Sequence, residues 1–262
     1  MKKSHYYRFF REDGKALILA FDHASHGDAW VDPAAVINGA REGGMDGILT
    51  TYGVISNFRK EIGKMGVMLR MDVLGTGLNP NDPILGQAMK SPYTVEDAVN
   101  LGADGIMTMG IIGNTYDAVN VQYIAHMVAE CNKRGLLCAA EMLPNGFSSD
   151  PKDRSVRAMN IACRVGAELG LDIVKTAFVE PVEEFRKIVS NCYVDVLALG
   201  GAKVNDDRAV LQSARDAMDA GCKGLMIGRN VWGHKNIAGM ARALNKIVHE
   251  DATVDEALKE LR

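Results

Sequence analysis

Several features that would place this chain in a specialised class of protein are missing from it. No apolar run reaches the ~18 residues that a membrane-spanning helix needs. Lysine and arginine (30) do not outnumber aspartate and glutamate (33), so the net charge of -3 offers no basic surface to nucleic acid or an anionic membrane. The charged start of the chain has no apolar core after it, so we expect no signal peptide. We therefore expect neither nucleic acid nor membrane as a partner.

Cysteine is also scarce and carries no motif. The five cysteines are odd in number and never spaced as CxxC. Four of them have apolar neighbours in predicted helices or strands, which is typical of reduced, buried thiols and favours the cytoplasm. His23 and His26 lie close in sequence, but no third ligand at metal spacing accompanies them. We expect no metal and no other cofactor.

What the chain does contain is a regular alternation of short apolar runs with amphipathic segments. Eight runs are predicted as strands, over 16–21, 47–51, 66–71, 105–109, 136–142, 172–176, 194–199 and 224–227. The segments between and after them are predicted as helices, over 33–42, 54–62, 94–101, 116–134, 153–169, 181–189, 206–220 and 236–249.

Eight strand–helix units in about 250 residues predict an α/β fold of the (β/α)8 TIM-barrel type. The runs are apolar throughout, as expected for parallel strands covered on both faces. A doubly wound open sheet would need a glycine fingerprint after the first strand, and residues 22–24 contain none. We predict a single domain over 1–262, with a loop at 73–92 over the barrel mouth and a helical tail at 253–262.

A lysine at the end of the sixth predicted strand is the most informative residue. Lysine is rarely buried without a partner, and Lys175 follows the apolar residues Ile173 and Val174. Burial lowers the pKa of an amine, and a neutral amine in a dry pocket is the nucleophile that forms Schiff bases with carbonyl compounds. The alternative is an ion pair with a carboxylate at the barrel rim, and this strand alone does not separate the two.

An aspartate follows the first predicted strand. In a barrel the active site forms at the C-terminal ends of the strands. By the period of two, Asp22 shares a face with Ile18 and Ala20, as Lys175 does with Ile173. If both faces point inward, a carboxylate and an amine meet in one cavity, as imine chemistry requires. The alternative for Asp22 is a loop cap or an ion pair with Lys175.

Glycines follow the seventh and eighth predicted strands, where barrels commonly bind phosphate. Gly200 and Gly201 expose backbone N–H groups, and so does Gly228, while the helix that begins after each loop adds partial positive charge. Arg229 can hold a phosphate through two hydrogen bonds and Lys203 can add a point charge. We predict a phosphate site here.

From residue 16 to about residue 247 these motifs resemble one family of enzymes. The carrying segments are Asp22-His23-Ala24-Ser25-His26-Gly27, Val174-Lys175-Thr176, Gly200-Gly201 and Gly228-Arg229-Asn230. Together they are similar to the class I aldolases of the archaeal-type fructose-bisphosphate aldolase family, grouped with deoxyribose-phosphate aldolase relatives. The resemblance implies a Schiff base on Lys175, substrate contacts from His23 and His26, and a homo-oligomer.

One position departs from that family. Its fifth strand often ends in tyrosine-proline-arginine-glycine, with the tyrosine as the acid/base of aldol cleavage, whereas this chain has Leu143-Pro144-Asn145-Gly146. Leucine cannot move a proton, so Glu141 or Tyr52 would have to do so, or the reaction differs. Glu141 could equally be the counter-ion of Lys175, and Tyr52 could be an aromatic packing at the rim.

The leading hypothesis is a Schiff-base-forming aldolase that makes or breaks a C–C bond in a phosphorylated ketose or related carbonyl sugar. The resemblance also includes a thiolase that acts on a phosphorylated diketone with coenzyme A, and the loss of the tyrosine favours that alternative. A third hypothesis is a non-catalytic phosphosugar-binding barrel, although binding alone does not require a buried amine.

Overall fold

Eight parallel strands form one closed barrel in the computed structural model, which describes residues 3–22, 31–73, 91–146, 148 and 150–262. Each strand pairs with the next in sequence, and the last pairs with the first. The strands are β1 (Ala16–Phe21), β2 (Gly47–Thr50), β3 (Gly66–Arg70), β4 (Gly105–Ile112), β5 (Leu137–Pro144), β6 (Ile173–Thr176), β7 (Asp195–Leu199) and β8 (Gly224–Ile227). The predicted (β/α)8 barrel is confirmed.

Helices follow the strands and cover the barrel. They are α1 (Pro33–Glu42), α2 (Tyr52–Asn57), α3 (Arg59–Ile62), α4 (Val95–Asn100), α5 (Asp117–Arg134), α6 (Val156–Glu168), α7 (Val182–Asn191), α8 (Asp207–Asp219), α9 (Arg229–Trp232), α10 (Ile237–His249) and α11 (Val254–Ala257). Short 3₁₀ helices span Ser4–Arg8, Pro151–Arg154 and Leu258–Leu261. None of the helices in the described ranges is long and apolar enough to cross a bilayer.

Alternate side chains of the strands fill the inside of the barrel. One apolar cluster takes residues from all eight strands, among them Ile18, Ala20, Leu49, Met68, Met107, Ala139, Ile173, Leu197 and Met226. In five of the strands, the residue two positions after a member of this cluster belongs to the next layer toward the C-terminal end of the barrel. These five residues are Asp22, Arg70, Met109, Glu141 and Lys175. The apolar interior therefore gives way to a charged layer at the C-terminal end of the barrel.

The opposite end of the barrel is closed by the N-terminal segment. Phe9 and Phe10 belong to the interior cluster, and the ring of Tyr6 stacks on Phe10 with centroids 4.1 Å apart. Lys3 forms an ion pair of 2.7 Å with Asp172, the residue before β6. These residues close the N-terminal end of the barrel, so a small molecule would enter from the C-terminal end.

Several elements differ from the sequence-based prediction. β5 runs to Pro144, beyond the predicted end at residue 142, and α9 was not predicted. β4 continues to Ile112, beyond the predicted end at residue 109, because Gly110 pairs with Met142 and a side chain at Gly110 would collide with the Met142 sulfur. The predicted helix at 54–62 is interrupted at Phe58, whose φ of -123° and ψ of 27° are not helical. Of the predicted mouth loop at 73–92, residues 74–90 lie outside the described residues.

Candidate active site

Lys175 lies inside the barrel and not at its rim. It is 3% exposed, and its Nζ donates a hydrogen bond of 2.8 Å to Oε2 of Glu141. The two residues are direct neighbours in the β5–β6 register, so the pairing of the strands brings the side chains together. Both side chains also border an open cavity. The amine is thus paired with a carboxylate and accessible to a small molecule at the same time.

Arg70 is a member of this site that the sequence reasoning missed. Its Nη2 is 3.3 Å from Oε2 of Glu141, and its Nε is 3.4 Å from Oδ2 of Asp22. The four side chains form a buried chain of alternating charge, in the order Asp22, Arg70, Glu141 and Lys175. The signal was in the sequence, because Arg70 follows Met68 by two residues in β3 and so shares its inward face.

Among the described contacts, Asp22 is linked to Lys175 through Arg70 and Glu141. The predicted convergence of a carboxylate and an amine is realised by Glu141, while Asp22 forms its ion pair with Arg70. Asp22 is buried at the end of β1, as the period of two predicted. The alternative for Asp22 was an ion pair with Lys175, whereas the described contacts pair it with Arg70.

The charges in this layer set the protonation of Glu141. Burial alone raises the pKa of a carboxyl group, but the positive charges of Lys175 and Arg70 outweigh it, so the pKa of Glu141 is lowered. Burial likewise opposes the charge of Arg70, yet Asp22 and Glu141 raise its pKa. For Asp72, which follows β3, burial wins and the pKa is raised, despite hydrogen bonds from Met109 N and Thr108 Oγ1.

A cavity of about 260 Å³ opens beside the lysine. Its walls come from the ends of β1 and of β5 to β8 and from the loops after them: Ala20, Glu141, Leu143, Arg154, Lys175, Ala177, Leu199, Gly200, Gly201, Met226, Gly228 and Arg229. Leu143, near the end of β5, is part of this wall. Arg154, also missed, donates to the carbonyls of Pro144 and Gly146 and fixes the loop after β5.

The predicted phosphate-binding glycines line the far side of the same cavity. A side chain at Gly200 would collide with Ile227, and one at Gly228 would collide with the carbonyl of Ala20, so glycine is needed at both. Gly201 has a φ of +65°, in the left-handed region. Bare backbone at three neighbouring positions suits an anionic group that must approach the main chain closely.

Asn230 and Arg229 connect the two glycine loops. Asn230 Nδ2 donates to the carbonyls of Gly200 (2.8 Å) and Ala202 (3.0 Å), and its Oδ1 accepts from Val204 N. Arg229 Nη2 donates to the carbonyl of Gly201 at 3.2 Å, and the side chain stays exposed. The loop after β7 is therefore held at a fixed distance from the loop after β8.

The remaining predicted site residues lie elsewhere. Lys203 lines a second cavity with His234 and Lys235 and does not border the first one. Tyr52 begins α2, is 37% exposed and stacks on Tyr93 with ring centroids 5.1 Å apart. This contact is the aromatic packing that was the alternative to a role in proton transfer. His23 and His26 are outside the described residues.

A metal site is not formed by the part of the chain that is described. No group of three or more His, Cys, Asp and Glu side chains within it could hold an ion. All five cysteines are buried free thiols.

Known proteins resemble this chain in sequence and in fold. The sequence model of a family described as DeoC/LacD family aldolase matches residues 16–234. The 2-amino-3,7-dideoxy-D-threo-hept-6-ulosonate synthase of Halobacterium salinarum is 30% identical over 249 residues, which cover 94% of this chain and 91% of that protein. The class 1 fructose-bisphosphate aldolase of Thermoproteus tenax is 26% identical over 260 residues, 96% of each chain.

Solved structures give the same picture. An archaeal fructose-1,6-bisphosphate aldolase superposes with a TM-score of 0.82 at 25% identity, covering 93% of this chain and 98% of that one. That structure has its catalytic lysine covalently bound to the carbinolamine intermediate of its substrate.

Proposed function

This chain belongs to the DeoC/LacD family of aldolases, and from that premise we propose that Lys175 is its Schiff-base-forming residue and a phosphorylated ketose or related carbonyl sugar its substrate. The observation that carries the proposal is a buried amine, hydrogen-bonded to a carboxylate and bordering a cavity whose far wall is bare glycine backbone. A carbonyl group beside Nζ and a phosphate on the glycines would occupy the two ends of that cavity.

Imine formation begins with the transfer of one proton from Lys175 to Glu141. The proton can move directly because Lys175 Nζ donates a hydrogen bond of 2.8 Å to Glu141 Oε2. The nitrogen lone pair then attacks the carbonyl carbon and forms a C–N bond, and the proton that the nitrogen loses is taken up by the carbonyl oxygen. The resulting carbinolamine loses water and leaves a protonated imine on Lys175. Glu141 is the group best placed to return the proton that the departing oxygen needs.

The C–C bond breaks in the next step. The hydroxyl group on the carbon beyond the bond gives up its proton to a base, an aldehyde leaves, and the electron pair of the bond moves to the iminium as an enamine. Protonation of the enamine carbon and hydrolysis of the imine by water release the ketone and restore the amine. The geometry favours Glu141 as the base, since Leu143 carries no proton and Tyr52 does not border the cavity.

The phosphate of the substrate would be bound by backbone N–H groups of Gly200, Gly201 and Gly228, with Arg229 closing over it. Lys203 is a weaker candidate because its side chain lies against Gly233 in the second cavity. The acyl-transfer alternative keeps one observation in its favour, which is the apolar Leu143 in the wall where a tyrosine would serve aldol cleavage.

We also propose the setting in which the enzyme works. Five buried free thiols suit a reducing compartment, which supports the cytoplasm. A homo-oligomer and a single domain over residues 1–262 remain predictions, and light scattering on the purified protein measures the first.

The test is a synthesis screen with dihydroxyacetone phosphate and a panel of aldehydes, read by mass spectrometry of the products. The wild type should form a new C–C bond, and Lys175→Met should lose this activity by at least about 10³-fold while phosphate binding stays within about tenfold. Lys133→Met, at an exposed lysine of α5, is the matched control and should match the wild type. Turnover only with coenzyme A would select the acyltransferase, and phosphosugar binding without any turnover would select the binding barrel.

A further inference from the structure

Arg70 occupies a position that the imine mechanism does not yet explain. Its guanidinium lies between the two inward-facing carboxylates, with Nη2 at 3.3 Å from Glu141 and Nε at 3.4 Å from Asp22. The side chain is 7% exposed, and its Nη1 has no hydrogen-bond partner in the described part of the chain. A buried guanidinium is expensive to desolvate, so a purely structural core would have an apolar residue here.

We propose that Arg70 is a positioning residue that sets the pH range in which Lys175 forms an imine, by setting the pH at which the ion pair of Lys175 and Glu141 gives up its proton to solvent. The inference rests on the proposed function and deepens it. Arg70 does not border the cavity, so it acts through Glu141 and not by contact with the substrate.

The charged groups of this layer define the effect. Asp22 faces Arg70 from the end of β1, Glu141 from β5, and Asp72 from just beyond β3, while Lys175 faces Glu141 from β6. Among the described residues, three acids and two cations thus meet in this layer. Asp72 is already hydrogen-bonded to Met109 N and Thr108 Oγ1. The other four described groups are two acids and two cations. Their charges are equal in number only while Arg70 is charged.

Removal of the Arg70 charge disturbs that balance in one direction. A missing positive charge favours the protonated form of every neighbouring group. Glu141 would then keep Lys175 as its nearest cation, and the ion pair between the two would persist to higher pH. Imine formation needs the free amine, so the reaction would begin only in more alkaline solution.

Arginine differs from lysine here in geometry, whereas the proposed pH effect needs only the charge. Its guanidinium keeps its charge throughout the catalytic cycle and offers donors in a rigid fork. One edge reaches Asp22 through Nε and another reaches Glu141 through Nη2. Lysine would retain the charge but would contact only one carboxylate, so charge and geometry can be separated by substitution.

The experiment measures borohydride trapping of dihydroxyacetone phosphate on Lys175 as a function of pH, in the wild type, Arg70→Met and Arg70→Lys. Arg164→Met, at a partly exposed arginine of α6, controls for the loss of an arginine as such. The pH of half-maximal trapping should rise by about one unit or more in Arg70→Met. It should stay within about 0.5 unit of the wild type in Arg70→Lys and in the control.

A profile of Arg70→Met that coincides with the wild type would overturn the inference and leave the proposed function intact. A wild type that traps nothing on Lys175 at any pH would overturn both. Asp22→Asn supplies a second variant if Arg70→Met does not fold. It removes a negative charge next to Arg70 and should move the half-maximal pH downward, and an upward or absent shift would contradict the role given to Arg70.

Discussion

Replacement of Glu141 by glutamine should destabilise the protein more than replacement of its partner Lys175 by methionine. Glu141 Oε2 receives both Lys175 Nζ at 2.8 Å and Arg70 Nη2 at 3.3 Å. Glutamine leaves two buried cations without the carboxylate between them, and removal of one partner of a buried pair costs about 3–5 kcal/mol. In Lys175→Met the carboxylate keeps Arg70, so we expect a loss of about 1–2 kcal/mol.

The assay is thermal unfolding at neutral pH followed by circular dichroism. For a chain of this size the expected losses correspond to a drop in Tm of roughly 10 °C for Glu141→Gln and of a few degrees for Lys175→Met. The double variant should be less damaged than the sum of the two, because the pair is removed as a unit. Equal losses in the two single variants, or a greater loss in Lys175→Met, would refute the account of Glu141 as the shared counter-ion.

Three further predictions follow from the same site. Leu143→Tyr should raise cleavage of fructose 1,6-bisphosphate by about tenfold or more while Leu143→Phe does not, and equal effects of the two would show that the hydroxyl has no role. Because Lys175 and Arg70 lower the pKa of Glu141, its ionised form stabilises the fold above the usual carboxyl pKa of about 4.3. The Tm gap between wild type and Glu141→Gln should therefore persist down to about pH 5 and close in stronger acid, and a constant gap would contradict this. Asn230→Ala removes its hydrogen bonds to Gly200 and Ala202 and should raise KM for phosphorylated substrates about tenfold with little change in kcat, whereas a fall in kcat alone would argue against a phosphate loop.

The fold was predictable because its signals are local and repeated. Eight apolar runs separated by amphipathic segments specify a parallel barrel whatever the details of packing. The predicted bounds of elements were wrong where contacts with residues distant in sequence decide the local structure. The predicted end of β4 at residue 109 fell just before Gly110, which lies within the strand because only glycine leaves room there for Met142 of β5. Phe58 interrupts a helical pattern for which the sequence offers no proline or glycine.

The site was only half predictable, for a related reason. Lys175, Asp22 and Glu141 follow from strand ends and the period of two, and the family resemblance drawn from these motifs is confirmed. Arg70 was not predicted, although it ends an apolar run in β3 and the period of two gives it the inward face of Met68. The choice of Arg70 as the partner of Asp22 depends on distances across the barrel, which no local pattern encodes.

The central claim is that Lys175 forms a covalent bond with the carbonyl carbon of the substrate. It is tested most directly by borohydride reduction in the presence of dihydroxyacetone phosphate, followed by digestion and mass spectrometry of the peptides. The account predicts a reduced adduct on Lys175 in the wild type and none in Lys175→Met. An adduct on another lysine, or turnover by Lys175→Met at the wild-type rate, would contradict it.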